Sequence, residues 1–303
     1  MDSFNNYIVD SKQLVINAVN IRRYLGKDTL FCAVVKANAY GLGIQTICKS
    51  IKSYVDYFAV ACIKEAKDIR SFDRNTPILI LGIVPASTYK WCSENNVTVT
   101  ISNKTDIYNI ENNINDVFRV HVALNTGLNR IGFKKTQEIK ECLKLISNSK
   151  KIVLDGMFSH FATKHNDTLF IKKQFYSYML LSKVVKDKVI KHISNSFATI
   201  YNGMYHLDMV RCGYLLYGNT ATKDINNKPV LKITSKVVSI TYVNKGESIG
   251  YDRNYLATKN MMVGIVPIGY ADGLDRRLSN KGYFYINNKK CPIIVQSRYM
   301  SPC

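Results

Sequence analysis

The sequence predicts an α/β chain: a (β/α)₈ TIM-type barrel followed by a second, mostly β domain. Three observations carry this reading. Over roughly 220 residues, short apolar runs alternate with segments of helical spacing, each long enough for a crossover helix. Several of those runs are nearly continuous in apolar residues, as expected of strands covered on both faces. After about Lys228 the helical spacing gives way to strand-like runs separated by turn signals. Eight β units alternating with helices fit a closed barrel better than an open doubly wound sheet, and a chain of 303 residues accommodates such a barrel with an appendage.

In chain order, an amphipathic helix is predicted over Ser11–Leu25. The eight strands follow at Phe31–Lys36, Phe58–Cys62, Ile78–Gly82, Val97–Ile101, Arg119–Asn125, Leu154–His160, Val189–Asn195 and His206–Gly213. Crossover helices are predicted at Gly43–Ser53, Lys64–Ser71, Thr136–Ser147 and Leu169–Lys186. Beyond them, strand-like runs occupy 230–240, 261–267, 283–287 and 291–295, with turns signalled by Asn244-Lys245-Gly246 and Asn287-Asn288. The domains divide at 1–228, the barrel, and 229–303, the β domain.

Composition excludes several classes. With 47% hydrophobic and 21% charged residues, the chain is neither disordered nor fibrous. No apolar run reaches the roughly 18 residues of a membrane span, and MDSFNNYIVD lacks the pattern of a secretion leader, so a cytoplasmic protein without a membrane partner is expected. The eight cysteines are scattered singly, with no spacing that holds a metal, and read as small hydrophobes in a reducing compartment. Lys plus Arg is 42 against 22 for Asp plus Glu, a formal charge of +20 that favours anions. The lysines are spread along the whole chain without a dense basic run and interleaved aromatics, so a solvated surface is preferred over a nucleic-acid footprint.

A barrel of this kind places its active site at the C-terminal ends of the strands. The first strand ends in Lys36, within VVKANAYGLG; the fifth runs into Asn125-Thr126-Gly127-Leu128-Asn129-Arg130. The sixth ends in Ser159-His160, the seventh in Asn195-Ser196, and the eighth in Arg211 with Gly213 beyond. Burial at a strand end favours a neutral amine, which a Schiff base with a carbonyl cofactor requires. Position alone also allows Lys36 to snorkel from the rim. The loops after strands seven and eight form the recurrent phosphate site of this barrel; the Ser196 hydroxyl and the backbone at Gly213, where no Cβ blocks approach, suit a phosphate dianion. The alternative there is an N-cap serine and a turn glycine. A rim lysine, a phosphate cradle and a buried arginine together point to pyridoxal phosphate rather than a sugar phosphate.

The segment VVKANAYGLG closely resembles the cofactor-lysine signature of the alanine racemases, the barrel-type pyridoxal-phosphate enzymes. The resemblance continues in family order through LNTGLNRIGF, FSHFAT, NSFATIY, MVRCGYLLYG, IGYDRNY, PIGYADGLDRRLSNKG and CPIIVQSRYM, spanning nearly the whole chain. It implies a racemase of L- and D-alanine that holds pyridoxal 5'-phosphate, acts as a homodimer and supplies D-alanine for cell-wall peptidoglycan. Lys36 is then the Schiff-base lysine and one of two bases, and Tyr251 the second base. Tyr40, Ser196, Gly213 and Tyr214 form the phosphate cradle, and Arg211 faces the pyridine nitrogen. Arg130 and Met300 line the substrate site, and His160 and His192 link Tyr251 and Arg211 by hydrogen bonds. Two bases on opposite faces are the simplest route to racemisation. Both have reference pKa values near 10, which a fixed cation relayed through His160 would lower. Without the resemblance, Tyr251 reads as an ordinary strand residue, His160 and His192 as core histidines, and Arg130 as an exposed helix-start arginine.

The chain departs from the family pattern at two places. Ala123 stands where members commonly carry a lysine that helps hold the arginine at Arg130, leaving Arg130 to be held by a bound anion, by Asn125, or only loosely. The sequence also stops at Ser301-Pro302-Cys303, where family chains continue with further strands. The expectation is a truncated β domain with weakened cofactor binding. Alternative functions are a degenerate or non-catalytic pyridoxal-phosphate-binding protein, and a racemase of serine, which the sequence does not separate from alanine.

Overall fold

The computed structural model describes residues 4–163, 167–185, 188–220, 222 and 224–294. Met300, a predicted site residue, lies outside them, as do Lys186 and Val295 at the ends of two predicted elements. The chain divides into two compact units, Val9–Val230 and a second made of residues 231–294 with the described residues before Val9.

A short strand, β1 (Asn6–Val9), precedes helix α1 (Ser11–Leu25). The Asp10 carboxylate caps α1 by accepting from the Gln13 N–H at 2.8 Å, and Gly26, at φ 73°, ends it. The strands that follow are β2 (Leu30–Val34), β3 (Tyr57–Val60), β4 (Ile78–Ile80), β5 (Val97–Ile101), β6 (Phe118–Ala123), β7 (Ile152–Phe158), β8 (Ile190–His192) and β9 (Met209–Cys212). Between them run α2 (Ile44–Ile51), α3 (Ile63–Arg70), α4 (Tyr89–Glu94), α5 (Lys104–Asn113), α6 (Thr136–Asn148), α7 (Thr168–Ser182) and α8 (Ser196–Tyr201). The eight strands β2 to β9 form one parallel sheet in the order β8-β7-β6-β5-β4-β3-β2-β9. Backbone hydrogen bonds from Asp208 to Lys191 (3.0 Å) and from Arg211 to Ser194 (3.2 Å) bring β8 and β9 together and round off the barrel.

Strand alternation separates two apolar layers. Phe31, Phe58, Ile78, Ile80 and Val99 face outward and pack on Leu14, Ile21, Ile47 and Ile107 of the helices. Cys32, Val34, Ala59, Leu79 and Met209 form a second cluster on the opposite face, the barrel interior. Burial of each Val, Leu, Ile, Phe or Met side chain among them contributes about 1.5–3 kcal/mol. The pairing of β6 with β7 shifts register between Val120↔Leu154 and His121↔Gly156, leaving Asp155 as an extra residue in a β-bulge. Five of the seven described cysteines are buried and all seven are free thiols; Cys62 is exposed. No described helix is long and apolar enough to cross a membrane.

The predicted strands stand in order; Val97–Ile101 has the predicted bounds and the others have shifted or shortened ends. The strand expected to reach Lys36 stops at Val34, because a left-handed turn begins beyond it. The run expected over 189–195 contributes only Ile190–His192 to the sheet.

The second unit is built of paired strands. β10 (Leu231–Thr234) pairs with β1, so the amino-terminal strand belongs to this sheet. The Asn5 amide donates to the Pro267 carbonyl at 2.8 Å and the Ser235 hydroxyl donates to Asn5 Oδ1 at 2.6 Å. Further along, β11 (Ser239–Val243), β12 (Ser248–Ile249), β13 (Tyr255–Leu256) and β14 (Met261–Ile265) pair antiparallel as β11 with β14 and β12 with β13. The run predicted over 230–240 is thus divided between β10 and β11. β15 (Tyr283–Ile286) and β16 (Lys289–Pro292) form a hairpin whose two turn residues, Asn287 (φ 48°) and Asn288 (φ 62°), are left-handed, as a type I′ turn demands.

Candidate active site

A cavity of about 370 Å³ opens at the C-terminal ends of the barrel strands. Its lining includes Lys36, Tyr40, Arg130, His160, Ser196, Arg211, Gly213 and Tyr214, so all the predicted site residues of the barrel unit that were expected at the cofactor or substrate converge on it. Among the described residues, three of its lining side chains are cations, Lys36, Arg130 and Arg211, and no carboxylate lines it. Such a site attracts an anionic ligand.

Lys36 is positioned by an unusual backbone. Ala37, Asn38, Ala39 and Tyr40 all have φ between 52° and 58°, a left-handed turn made without glycine. For L-residues this costs about 1–2 kcal/mol each, with asparagine the most tolerant. The turn is held by its neighbours: Glu65 accepts from the Ala37 N–H (2.5 Å) and the Ala61 N–H (2.7 Å), and Asn38 Oδ1 accepts from the Ile44 N–H (2.8 Å). Over-determined strain of this kind characterises functional sites. The turn leaves the half-buried Lys36 amine without a hydrogen bond or ion pair to any described residue and carries the Tyr40 ring back over Gly213.

The phosphate-type cradle is formed by three segments. Asn195 caps α8 by accepting from the Phe197 and Ala198 N–H groups at 3.1 Å each. The next residue, Ser196, accepts from the backbone N–H groups of Gly213 and Leu215, both at 3.1 Å. A Cβ on Gly213 would stand 2.7 Å from Tyr40 Oη, so only glycine leaves room for that hydroxyl. Tyr40 meets Tyr214 edge-on, with ring centroids 6.2 Å apart.

Arg211, on β9, is buried and makes a fan of hydrogen bonds. Nη1 donates to His192 Nδ1 at 2.5 Å; Nη2 donates to the Ser159 carbonyl (2.7 Å), His160 Nδ1 (3.1 Å) and the Ile193 carbonyl (3.3 Å). Its guanidinium also lies over the Phe158 ring, 5.5 Å from the centroid. Burial lowers its pKa to about 10, which still leaves a cation at neutral pH. Burial first, then the charges of Arg211, Arg130 and Lys36, press His160 down to about 3. Burial and Arg211 hold His192 well below the usual imidazole range as well. Both histidines are therefore neutral acceptors for Arg211, with their protons on Nε2.

Arg130 sits on the loop after β6, next to Asn129 in the left-handed region (φ 57°). Asn125 Oδ1 accepts from the backbone N–H groups of Gly127 (3.2 Å) and Asn129 (3.0 Å), so this side chain shapes the loop rather than binding Arg130. Arg130 makes no hydrogen bond or ion pair with a described residue. Ala123 is buried at 1% exposure, with its carbonyl accepting from the Phe133 N–H at 3.0 Å.

Tyr251 belongs to the other unit, in a short helical turn at Tyr251–Arg253, and is 72% exposed within this chain. Sequence reasoning missed Glu65, which clamps the Lys36 turn, and His121, fully buried, whose Nδ1 lies 2.8 Å from His192 Nε2, and it placed Asn195 at a strand end without reading the cap by which it sets Ser196. The alternation of Arg119, His121 and Ala123 along β6 is the signal that puts His121 inside the barrel.

The family model of the alanine racemase N-terminal domain matches residues 9–221, and that of the alanine racemase C-terminal domain matches residues 230–296. Among curated relatives, alanine racemase 1 of Caldanaerobacter subterraneus subsp. tengcongensis is 33% identical over 291 residues, covering 92% of this chain and 75% of that protein. An alanine racemase of Francisella philomiragia is 33% identical over 303 residues, covering 95% and 82%. Among solved structures, alanine racemase from E. faecalis superposes with a TM-score of 0.91 at 28% identity, covering 98% of this chain and 83% of that one. Alanine racemase of Clostridium difficile 630 gives 0.81 at 32% identity, covering 91% and 76%. With both family models matched and a third of the residues identical over nearly its whole length, the chain belongs to the alanine racemase family.

Proposed function

We propose that this protein interconverts L- and D-alanine with pyridoxal phosphate as cofactor, using Lys36 and Tyr251 as the two bases. The observation that carries the reading is the convergence of a Lys36 amine bonded to no described residue, a glycine-lined cradle and a guanidinium on one cationic cavity. The residues fit the cofactor. Gly213, lacking a Cβ, lets the Tyr40 hydroxyl pack against it, and Tyr40, Ser196 and Tyr214 then line the cavity with hydroxyls suited to a phosphate. The Lys36 amine is available for the aldehyde. When bound, the cofactor supplies an electron sink that acidifies the α-proton of an amino acid.

The chain's own groups do the rest. Arg211 keeps Nε–H and one Nη1–H uncommitted to any described residue, so it offers a hydrogen bond to a ring nitrogen without giving up a proton. Arg130, bonded to no described residue, offers a cation for a carboxylate. Racemisation removes a proton on one face and returns one on the other, and Lys36 and Tyr251 are the groups proposed to hold those protons. His160, neutral with its proton on Nε2, adds a hydrogen-bond donor to the cavity wall. The names of the relatives favour alanine over serine.

On the same reading the protein works in the cytoplasm, its D-alanine supplies cell-wall peptidoglycan, and it pairs as a homodimer. The pairing is supported by an apolar face of the second unit: Ile240, Tyr242 and Met262 are 62%, 60% and 69% exposed on one side of the β11–β14 ribbon. The test is α-proton exchange into D₂O with added pyridoxal phosphate, run in parallel on L-alanine, D-alanine and serine. Exchange of both alanine enantiomers is expected. Cofactor binding without exchange would establish a non-catalytic binder instead, and a preference for serine would change the substrate.

A further inference from the structure

Behind Arg211 a line of polar side chains runs down the interior of the barrel. Arg211 Nη1 reaches His192 Nδ1 at 2.5 Å, His192 Nε2 reaches His121 Nδ1 at 2.8 Å, and His121 Nε2 faces Asp155 Oδ2 at 3.7 Å. Asp155 is in turn bonded by Arg119 Nη1 at 3.0 Å and approached by the Tyr57 hydroxyl at 3.5 Å. His121 and His192 are both fully buried.

The polarity of this line follows from its first member. A guanidinium has donors only, so His192 must accept through Nδ1 and carry its proton on Nε2. That proton must be donated to His121 Nδ1, which leaves the His121 proton on Nε2, directed at the Asp155 carboxylate. At 3.7 Å the last contact is electrostatic rather than a hydrogen bond, and His121 Nε2 is accordingly a buried nitrogen without a hydrogen-bond partner among the described residues. The fold makes special room for this arrangement. The β-bulge in β7 inserts Asp155 opposite His121, and the following residue is Gly156, where a Cβ would stand 2.6–2.8 Å from three atoms of the His121 ring. Bulges that re-aim a side chain beside a site are a recurrent device.

We propose that His121 is a positioning residue for the reaction: it holds His192 in a single neutral tautomer and thereby fixes the Arg211 guanidinium, with the Asp155 carboxylate as the far anchor. The inference rests on the reading that Arg211 faces the cofactor ring. His121 touches neither the cavity nor its ligands. Without its Nδ1, the buried His192 Nε2–H has no acceptor, a penalty comparable to the bond from Arg211 that holds the ring in place.

The test uses the full chain labelled with ¹⁵N-histidine, since five histidines give a resolvable spectrum. Long-range ¹⁵N–¹H correlations on the cofactor-free protein at neutral pH report each tautomer directly. His121, His192 and His160 are all expected as Nε2–H forms. A charged His121, or one protonated on Nδ1, overturns the proposal whether or not the chain is a racemase. His121→Leu should spread His192 over both tautomers, whereas His121→Asn, which keeps an acceptor near the Nδ1 position, should preserve the single form. With cofactor and alanine, His121→Leu and Gly156→Ala are expected to lower kcat about ten- to a hundredfold with little change in KM, and His121→Asn to recover most of it. Equal kcat for the Leu and Asn variants, with His192 unchanged in both, would reduce His121 to a packing residue and refute the proposal. Absence of racemisation in the unmodified chain would count against the proposed function and leave the tautomer result standing.

Discussion

Gly213→Ala tests the cradle by adding a single methyl group. The new Cβ would lie 2.7 Å from Tyr40 Oη and 3.1 and 3.2 Å from two atoms of that ring, whereas ordinary contact begins at 3.4 Å. The hydroxyl must therefore retreat by about 0.7 Å, and the ring can do so because Tyr40 is 38% exposed. The backbone at Gly213 does not have the positive φ that would bar alanine, and replacing glycine reduces the entropy of the unfolded chain, worth about 0.4–1 kcal/mol. Stability should thus change by less than about 1 kcal/mol. Loss of one hydrogen bond to a charged phosphate costs roughly 1.5–3 kcal/mol, one to two decades of affinity. Titration of the purified chain with pyridoxal phosphate, followed by absorbance, should show that weakening while the melting temperature holds. Tyr40→Phe removes the same hydroxyl, so the double variant should lose scarcely more than either single one. Fully additive losses, or unchanged affinity in Gly213→Ala, would refute the assignment of Tyr40 and Gly213 to one phosphate site.

Lys36→Ala should abolish the absorbance of lysine-bound cofactor, because Lys36 is the one lysine lining the cavity among the described residues; retention of that band would place the cofactor on another lysine. Tyr251→Phe should leave cofactor binding unchanged while suppressing exchange from one alanine enantiomer far more than from the other, since only the ionisable hydroxyl is lost. Equal small losses in both directions would argue against two-base chemistry. The protein should also be acid-labile. His160 titrates near 6.5 when unfolded and near 3 when folded, so the unfolded chain binds more protons across that window and stability falls as pH drops through it. This one residue should cost roughly 2 kcal/mol between pH 6.5 and pH 5, and His121 and His192, also lowered, add in the same direction. Denaturant midpoints measured from pH 8 to pH 4 would reveal it; a flat profile would contradict the buried neutral histidines.

Local pattern was enough where one interaction dominates. The helix Ser11–Leu25 and the strand Val97–Ile101 have the bounds predicted from periodicity, because a cap residue and a β-branched Val-Thr-Val-Thr-Ile run act over a few neighbouring residues. Residues at strand ends could be assigned to the cavity for the same reason: once a barrel is inferred, its topology dictates which end carries chemistry. Lys36, Arg130, His160, Ser196 and Arg211 were legible in that way.

What the sequence alone determined about this protein is the order of its elements and, through co-ordered motifs, its family. Tertiary structure decided the rest. Ala37–Tyr40 has no local preference for a left-handed turn; the Glu65 carboxylate, reaching over from α3, helps impose it. His121 is an unremarkable letter in an apolar strand until a bulge at Asp155 and the missing side chain of Gly156 make space for it beside His192. The strand Asn6–Val9 pairs with Leu231–Thr234, more than 200 positions away, which periodicity cannot register. Propensity and spacing describe a residue and its near neighbours, whereas these features depend on hydrogen bonds and close contacts between segments far apart in the chain, which exist only once it has folded.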